Sequence, residues 1–305
     1  MFKPPDSPFL VPYDNSFRVA DATTGCAEAE RAEAECASPD ERLAAAARRL
    51  RDLQRVLTAN NSWSVLLIFQ GMDAAGKNGT IRAVLRETDP TAVEVSSFRK
   101  PTRLERDHDF LWRINQCLPK RGHIGVFNRS QYEEVLIVRV HRAILEGQQL
   151  PAPIDRSVVW DQRLQSIRNH EQHLAHNGTV ILKFWLNVSP CEQRRRFLSR
   201  IDVAEKNWKF NPADIVERRH WDEYMRCYEA ALNATSRPWA PWYVIPADNK
   251  PFMRATVANI VADALDSLEL RYPAPTAAEL ERYAACREAL VREGHPGGHQ
   301  EGQLP

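Results

Sequence analysis

The chain has 305 residues, 43% of them hydrophobic, and its 41 basic and 40 acidic residues leave a formal net charge of +1. This length allows one large or two small domains with a sizeable core, and the balanced charge argues against a general nucleic-acid binder. The six cysteines form no C-x-x-C pair, no stretch reaches the ~18 apolar residues of a membrane span, and the start lacks a signal-peptide core, so we expect a cytoplasmic protein with unpaired thiols.

Helix and strand patterns alternate along most of the chain. Residues 1–38 show no sustained period and are interpreted as an N-terminal arm, and apolar residues at helical spacing predict a helix over about 40–59. The further elements are expected in this order: a strand at 63–70, a helix at 78–87, a strand at 92–98, a helix to about 118 that opens with a Thr102–Glu105 capping box, a strand at 123–128, helices at 130–141 and 158–176, a strand at 179–186, a helix capped by Ser189, a strand at 242–245 and a helix to about 268. This alternation predicts an α/β fold with a mainly parallel sheet, helices on both faces and ligands at the carboxyl ends of the strands.

Residues 202–240 interrupt the alternation and are interpreted as a helical lid. A helix beginning at 211–214 would have an apolar face of Trp221, Tyr224, Tyr228 and Leu232. Four basic residues lie around its base: Lys206, Lys209, Arg218 and Arg219. Positive charge there suits a phosphate-bearing ligand, although an ordinary solvated helix is the alternative.

The expected domains are the arm at 1–38, a domain over 39–272 that includes the lid, and a C-terminal helix with a flexible tail over 273–305. The tail contains His295 and His299, which could bind metal adventitiously without forming a functional site.

The most informative stretch is an apolar run from Val65 that breaks into a glycine loop. Gly71, Gly76 and Lys77 keep the G-x-x-x-x-G-K spacing of a P-loop, or Walker A motif. Backbone N–H groups in such a loop approach phosphate oxygens, and the following helix directs its positive dipole end at them. The residues expected around phosphate are Gly71, Ala74, Ala75, Gly76, Asn78, Gly79 and Thr80. The alternative is a tight turn without a ligand.

The residue after the loop lysine departs from the usual pattern. Asn78 stands where Ser or Thr commonly binds magnesium, and the nearest hydroxyl belongs to Thr80. Asp73, inside the loop, is the obvious replacement ligand, so Mg²⁺ is the expected cofactor.

A second polar segment follows the strand predicted at 123–128. Asn128 and Arg129 would reach the sheet edge where the glycine loop opens, and Asn128 stands where a metal-organising Asp is expected. A guanidinium suits bidentate phosphate contact. We therefore predict a catalytic group of Asp73, Lys77, Asn128 and Arg129, with a helix cap and a surface ion pair as the alternative for the last two.

Several motifs together resemble the polyphosphate kinase 2 family. They are G-M-D-A-A-G-K-N-G-T-I at 71–81, F-L-W-R at 110–113, F-N-R-S-Q-Y-E-E-V-L at 127–136, N-W-K-F at 207–210, W-D-E-Y at 221–224 and A-P-W-Y-V-I-P-A-D-N-K at 240–250. The resemblance covers roughly residues 40–270. It implies a P-loop kinase core with a helical lid, phosphoryl transfer between inorganic polyphosphate and nucleotides with magnesium, and a homo-oligomer.

The resemblance also implies roles for single residues. The family's loop carboxylate and lysine fall on Asp73 and Lys77, and its second-strand arginine falls on Arg129. Residues that correspond to the basic lining of the family's polyphosphate channel are Lys100, Arg139 and Arg200.

The motif after the second phosphate-facing strand bears on the acceptor. One branch of the family has F-D-R-S-W-Y and another has F-N-R-S-H-Y-E-D; this chain has the Asn form with Glu133 after Tyr132, and so resembles the branch that phosphorylates both AMP and ADP. It departs with Gln131 for His and Glu134 for Asp. We expect Glu133 to lie beside the acceptor, although it could merely stabilise a helix N-terminus. The lid residues expected to contact nucleotide are Lys206, Lys209, Arg218 and Arg219.

Three functions compete. The expected one is reversible transfer of the terminal phosphoryl group of polyphosphate to AMP or ADP, with GMP and GDP as further candidates and with no nucleic-acid or membrane partner. A conventional ATP-dependent nucleotide or small-molecule kinase would have Ser or Thr after the loop lysine. A silent phosphate-binding regulator would lack the loop lysine or carboxylate, and both are present here.

Overall fold

The computed structural model describes residues 2–25, 38–151, 155 and 157–293. In this part of the chain, five strands form one parallel sheet: β1 (Ser64–Gln70), β2 (Val93–Ser97), β3 (Ile124–Asn128), β4 (Thr179–Asn187) and β5 (Trp242–Pro246). Their spatial order is β2-β3-β1-β4-β5. Every residue of β1 and β4 is buried, as expected of central strands covered on both faces. The predicted α/β fold class is confirmed.

Helices connect these strands. The α-helices up to β5 are α1 (Pro39–Asn60), α2 (Lys77–Val84), α3 (Arg103–Arg106), α4 (Trp112–Asn115), α5 (Ile137–Val140), α6 (Arg142–Glu146), α7 (Val159–His176), α8 (Pro190–Asp202), α9 (Ala213–Glu217) and α10 (Trp221–Thr235). After β5 comes α11 (Lys250–Asp266), which packs on α1 and α2, whereas α7 packs on α10. The short 3₁₀ helices are Val19–Asp21, Pro90–Ala92, Gln131–Val135, Ala204–Lys209 and Arg218–His220.

The connections that follow β1 and β3 lead in opposite directions across the sheet. The connection after β1 leads to one edge of the sheet, and the connection after β3 leads to β4 on the other side. Since parallel crossovers are right-handed, the helices that follow these two strands lie on opposite faces. A crevice therefore opens where β1 and β3 end, which is where α/β sheets bind their ligands.

Two predicted helices are broken in the structure. The helix predicted over 130–141 is a 3₁₀ helix followed by α5, with Leu136 at φ −108° and ψ −88° between them. Its first turn is tight because Ser130 O accepts from Glu133 N, three residues on, at 3.1 Å. The prediction of one continuous helix there is wrong.

The helix predicted to run from the Thr102 capping box to about 118 is also wrong in extent. The capping box itself is confirmed, with Thr102 Oγ1 accepting from Glu105 N at 3.2 Å. However, α3 ends at Arg106, and Asp109 forms a turn by accepting from Leu111 N at 2.8 Å before α4 begins.

The lid region is helical but not a single helix. Asn211 Oδ1 accepts from Ala213 N at 3.0 Å and opens α9, and the 3₁₀ helix Arg218–His220 separates α9 from α10. Of the predicted apolar face, Tyr224, Tyr228 and Leu232 are buried and Trp221 is half-buried.

The N-terminal residues pair with β5, the strand at one edge of the sheet. Val11 N donates to Trp242 O at 2.9 Å, and Val244 N donates to Phe9 O at 2.8 Å, so this irregular segment forms an antiparallel bridge to β5. Residues 26–37 of the predicted arm, which include Cys26 and Cys36, lie outside the described residues.

The chain divides into two compact units, Met1–Leu270 and Arg271–Pro305. The described part of the second unit contains α12 (Ala277–Glu293), and the predicted tail with His295 and His299 lies outside the described residues. Cysteines 117, 191, 227 and 286 are free thiols. Over the described ranges, no helix has the length and apolar content needed to cross a membrane.

Candidate active site

The glycine loop packs tightly between β4 and α11. Gly71 has φ +149°, and a Cβ added there would lie 2.8 Å from Leu186 O. Gly76 has φ +113°, and its added Cβ would lie 3.1 Å from Met253 Cε. Glycine is therefore required at both positions by conformation and by space. The loop ends where α2 begins, which leaves the first N–H groups of α2 at the carboxyl edge of the sheet.

The Lys77 side chain folds back over this loop. Its Nζ donates to Gly71 O at 2.5 Å and to Met72 O at 3.3 Å, and the residue is only 8% exposed. Burial, with a smaller effect from the Arg129 charge, lowers the pKa of Lys77 to about 8. The amine thus contacts neutral carbonyls rather than a carboxylate, so a phosphate oxygen can replace them with a charged partner.

One guanidinium bridges two carboxylates at the mouth of the crevice. Arg129 Nη2 donates to Asp73 Oδ1 at 2.6 Å, and Arg129 Nη1 lies 3.5 Å from Glu133 Oε2. The charges of Glu133 and Asp73 raise the pKa of Arg129 despite its partial burial. Arg129 also adopts φ +65°, in the left-handed region, with its N–H held by Phe69 O at 3.0 Å. Backbone strain of this kind concentrates at functional sites.

Asn128 joins the ends of three elements. Its Nδ2 donates to Asn78 Oδ1 at 2.7 Å and to Ser97 Oγ at 3.4 Å, and so links β3 to α2 and β2. The structure therefore brings Asp73, Lys77, Asn128 and Arg129 into one contiguous group around the crevice. Thr80 is different, because its hydroxyl is buried and donates to Gly76 O at 3.1 Å within α2.

Two residues of α8 hold the glycine loop and were missed in the sequence. Arg196 Nη1 donates to Ala74 O at 2.9 Å and to Ala75 O at 2.8 Å. Gln193 Nε2 donates to Asp73 O at 2.9 Å. A usable signal existed, because residues 193, 196 and 200 share one face of a helix that follows a central strand.

Two arginines connect α8 with the lid region. Arg218 Nη1 donates to Gln193 Oε1 at 2.6 Å, so one side chain separates it from the loop. Arg200 Nη1 lies 3.3 Å from Asp214 Oδ2. Burial, followed by the charge of Asp73, raises the pKa of Asp214, which places this pair within electrostatic range of the loop carboxylate.

The other predicted binding residues make their described contacts elsewhere. Lys206 Nζ donates to Ser199 Oγ at 2.7 Å, and Lys209 Nζ lies 4.9 Å from the centre of the Trp208 ring. The Arg139 guanidinium lies 5.8 Å from the centre of the Trp160 ring. Lys100 and Arg219 are exposed.

The side chains at this site could bind a magnesium ion together with substrate phosphates, but they could not surround one by themselves. Within the described part of the chain, no cluster of three or more His, Cys, Asp or Glu side chains could hold a metal. Mg²⁺ in kinases is commonly bound through one or two carboxylates together with substrate phosphates and water. Asp73 offers one carboxylate, 29% exposed, next to the loop, and this fits an ion shared with phosphate oxygens.

The family model for polyphosphate kinase 2 matches residues 34–273. An ADP-polyphosphate phosphotransferase of Rhodopseudomonas palustris is 51% identical over 80% of this chain and 85% of its own length. An AMP/ADP-polyphosphate phosphotransferase of Meiothermus ruber is 44% identical over 78% of this chain and 85% of its own length. The crystal structure of a polyphosphate kinase 2 from Arthrobacter aurescens superposes with a TM-score of 0.80 at 36% identity, covering 92% of this chain and 95% of that one.

Proposed function

The chain belongs to the polyphosphate kinase 2 family of phosphotransferases, and we propose that it transfers the terminal phosphoryl group of inorganic polyphosphate to AMP and ADP, reversibly and with Mg²⁺. The observation that carries this proposal is the convergence of Lys77, Asp73 and Arg129 at the crevice between β1 and β3. Two cations and one carboxylate meet there beside the first N–H groups of a helix, which is the chemistry that a phosphate chain requires.

Phosphoryl transfer leaves the protein little covalent work. Catalysis depends on aligning donor and acceptor and on neutralising the charge of the group in transit. We assign this neutralisation to Lys77 and Arg129, whose cationic groups face the same crevice. Arg196 holds the backbone of the glycine loop, and Asn128 binds the Asn78 side chain at the start of α2. An attacking nucleotide phosphate is already an anion near neutral pH, so no general base is assigned.

Magnesium would be held by Asp73 and by phosphate oxygens, and it would supply further positive charge to the phosphates. Arg129 also binds this carboxylate, so the guanidinium fixes the direction in which Asp73 points. The backbone carbonyl of Asp73 is held by Gln193. Both contacts keep the carboxylate at the mouth of the loop.

The proposed acceptor specificity is based on the position of Glu133. Its carboxylate is 17% exposed and lies beside Arg129, in the segment whose sequence resembles the branch of the family that uses both AMP and ADP. The Rhodopseudomonas palustris relative is named for ADP alone, and the Meiothermus ruber relative is named for AMP and ADP. We propose that this chain acts on both acceptors, like the second relative, and that GMP and GDP are further candidates. We also propose a homo-oligomeric state, which light scattering would test.

The proposal is tested by incubating the purified protein with polyphosphate, Mg²⁺ and either AMP or ADP, and by resolving the nucleotides by chromatography. We expect ADP and ATP from AMP, and ATP from ADP, each dependent on polyphosphate. A parallel reaction with ATP as donor and no polyphosphate distinguishes a conventional P-loop kinase, which would be active only there. Activity with ADP but none with AMP would retain the reaction and overturn the assigned branch.

A further inference from the structure

A buried polar network lies beneath the 3₁₀ helix Gln131–Val135. Lys183, in the middle of β4, donates to Glu171 Oε2 at 2.5 Å, to Tyr132 Oη at 2.9 Å and to Thr235 O at 2.9 Å. Lys183 is fully buried, and Glu171, on α7, is 1% exposed. This ion pair is therefore shielded from solvent and satisfied by protein groups.

The network reaches the candidate active site through two adjacent side chains. Gln131 Nε2 donates to Glu171 Oε1 at 3.2 Å, and Tyr132 Oη donates to the same oxygen at 2.8 Å. These two residues stand between Arg129 and Glu133 in the chain. The position of the ion pair therefore sets the position of the backbone that presents both charged side chains.

The same network reaches the end of the lid region. Thr235 is the last residue of α10, and its Oγ1 lies 2.8 Å from Tyr132 Oη and accepts from Trp242 Nε1 at 2.9 Å. The Tyr132 ring packs edge-on against Trp242, with centroids 4.8 Å apart. One buried ion pair thus fixes the segment after β3 relative to α10 and β5.

Stability alone does not account for such a pair. Burial lowers the pKa of Lys183 to about 8 and raises that of Glu171, which reflects the cost of removing both charges from water. Well-packed apolar residues in place of a buried ion pair are often as stable or more stable. What apolar residues cannot supply is the fixed set of hydrogen bonds to Gln131, Tyr132 and Thr235.

We propose that Lys183 and Glu171 are positioning residues for phosphoryl transfer, which orient Arg129 and Glu133 through Gln131 and Tyr132. The inference rests on the proposed function for its kinetic consequence. Its structural consequence, an ordered segment from Arg129 to Val135 that is tied to the end of α10, can be measured without any substrate.

The test replaces the pair by apolar residues of similar size, Lys183→Met with Glu171→Leu, so that no charge is left buried alone. Tyr132→Phe is a second variant, which keeps the ring on Trp242 and removes the hydroxyl. The matched control is Ser64→Ala with Thr179→Val, which removes a buried 3.0 Å hydrogen bond between the first residues of β1 and β4.

We expect kcat to fall about 10-fold or more in the double variant, with KM for ADP changed by less than about 3-fold, because misplacing a group that stabilises the transition state affects turnover first. Tyr132→Phe should give a smaller loss of the same kind. Amide hydrogen exchange should become faster in residues 129–136 and 228–235 of both variants. The control should leave kcat and exchange in these segments at wild-type values.

A folded double variant with wild-type kcat and wild-type exchange would overturn the inference. If the double variant does not fold, wild-type kcat and exchange in Tyr132→Phe would do so instead. An inactive wild-type protein would contradict the proposed function, and the exchange measurement would still decide whether the ion pair orders the segment.

Discussion

The Arg129 guanidinium donates a 2.6 Å hydrogen bond to the Asp73 carboxylate. This contact joins the residue after β3 to the loop after β1, across the crevice where the chain reverses its direction through the sheet. The positive and negative charges of the site are therefore nearly balanced before substrate binds. A polyphosphate chain and a nucleotide together bring many negative charges, and the four charged groups Asp73, Lys77, Arg129 and Glu133 cannot offset them alone. An additional cation is expected for this reason.

Asp73→Asn should raise the magnesium requirement. The amide keeps the size of the side chain but removes the charge that favours a divalent cation. We expect lower kcat and a higher half-saturating Mg²⁺ concentration, measured by titrating Mg²⁺ at fixed polyphosphate and ADP. Asp266→Asn is the control, since this carboxylate pairs with Arg49 on an exposed part of α11. Near-native turnover of Asp73→Asn at low magnesium would show that this carboxylate is not the ligand.

The pH profile should reflect Lys77. Burial lowers its pKa from the ordinary value of 10.5 to about 8, so the free enzyme loses this charge as the pH rises through 8. Values of kcat/KM for polyphosphate should therefore decline above about pH 8, because this parameter follows ionisation of the free enzyme. Bound phosphate favours the protonated amine, so kcat should decline only at higher pH. A kcat/KM that stays level to about pH 9.5 would contradict this role.

The same shift has a consequence for stability. Between pH 8 and 10.5 the unfolded chain holds a proton on Lys77 that the folded chain has released. Through Lys77, the free energy of unfolding therefore increases as the pH rises through that window, so the folded state becomes more stable.

Glu133→Asn should change the ratio of AMP to ADP phosphorylation, with AMP use reduced more. The carboxylate lies beside Arg129, where it can repel an additional phosphate or orient one that is bound to magnesium. The measurement is kcat/KM for each acceptor. Equal losses on AMP and ADP would leave Glu133 a helix-terminal carboxylate without a role in acceptor choice.

Glu134→Gln provides the matched control for Glu133→Asn. Glu134 is buried against Arg163 and accepts from Gln148 Nε2 at 2.8 Å, whereas the described partners of Arg129 are Asp73 and Glu133. Its removal should lower Tm, because Arg163 would lose its charged partner, while the AMP-to-ADP ratio stays at the wild-type value.

The basic residues of the lid region should contribute to nucleotide or polyphosphate binding through their positive charge. Changing Arg218 and Arg219 to Ala, or Lys206 and Lys209 to Ala, should weaken nucleotide or polyphosphate use and alter its dependence on salt. We expect the first pair to have the larger effect, since Arg218 contacts Gln193, which holds the Asp73 carbonyl. Steady-state kinetics at two salt concentrations test this expectation. Unchanged kinetics in both double variants would make the segment an ordinary solvated one.

Much of the framework was predictable from local patterns. Apolar runs that end in glycine or asparagine locate β1 and β3, and parallel pairing then brings their ends together, with Phe69 opposite Asn128. The proximity of Asp73 and Arg129 follows from that register. The capping boxes at Ser38 and Thr102 rest on three-residue spacing and are present in the structure; the second of them was predicted.

The missed features depend on contacts between distant residues. The break at Leu136 arises where Gln131 and Tyr132 are drawn into the core, and helical periodicity does not report this. A lysine inside the apolar run of β4 could have been noticed in the sequence, but its partner Glu171 lies on a different element. Likewise, the shared helix face of residues 193, 196 and 200 could have marked Arg196 as a site residue, but its partners, the carbonyls of Ala74 and Ala75, lie on a different element.

The most direct measurement of phosphoryl transfer at this site is ³¹P NMR of polyphosphate, Mg²⁺ and ADP with the wild-type protein and with Lys77→Ala. The γ-phosphate resonance of ATP should grow with the wild-type protein at the expense of polyphosphate. It should grow at least about 100-fold more slowly with a Lys77→Ala variant of unchanged circular dichroism and Tm, because the loop amine stabilises charge in the transition state. No ATP from the wild-type protein, or equal rates from both proteins, would contradict the assignment of polyphosphate-driven transfer to this loop.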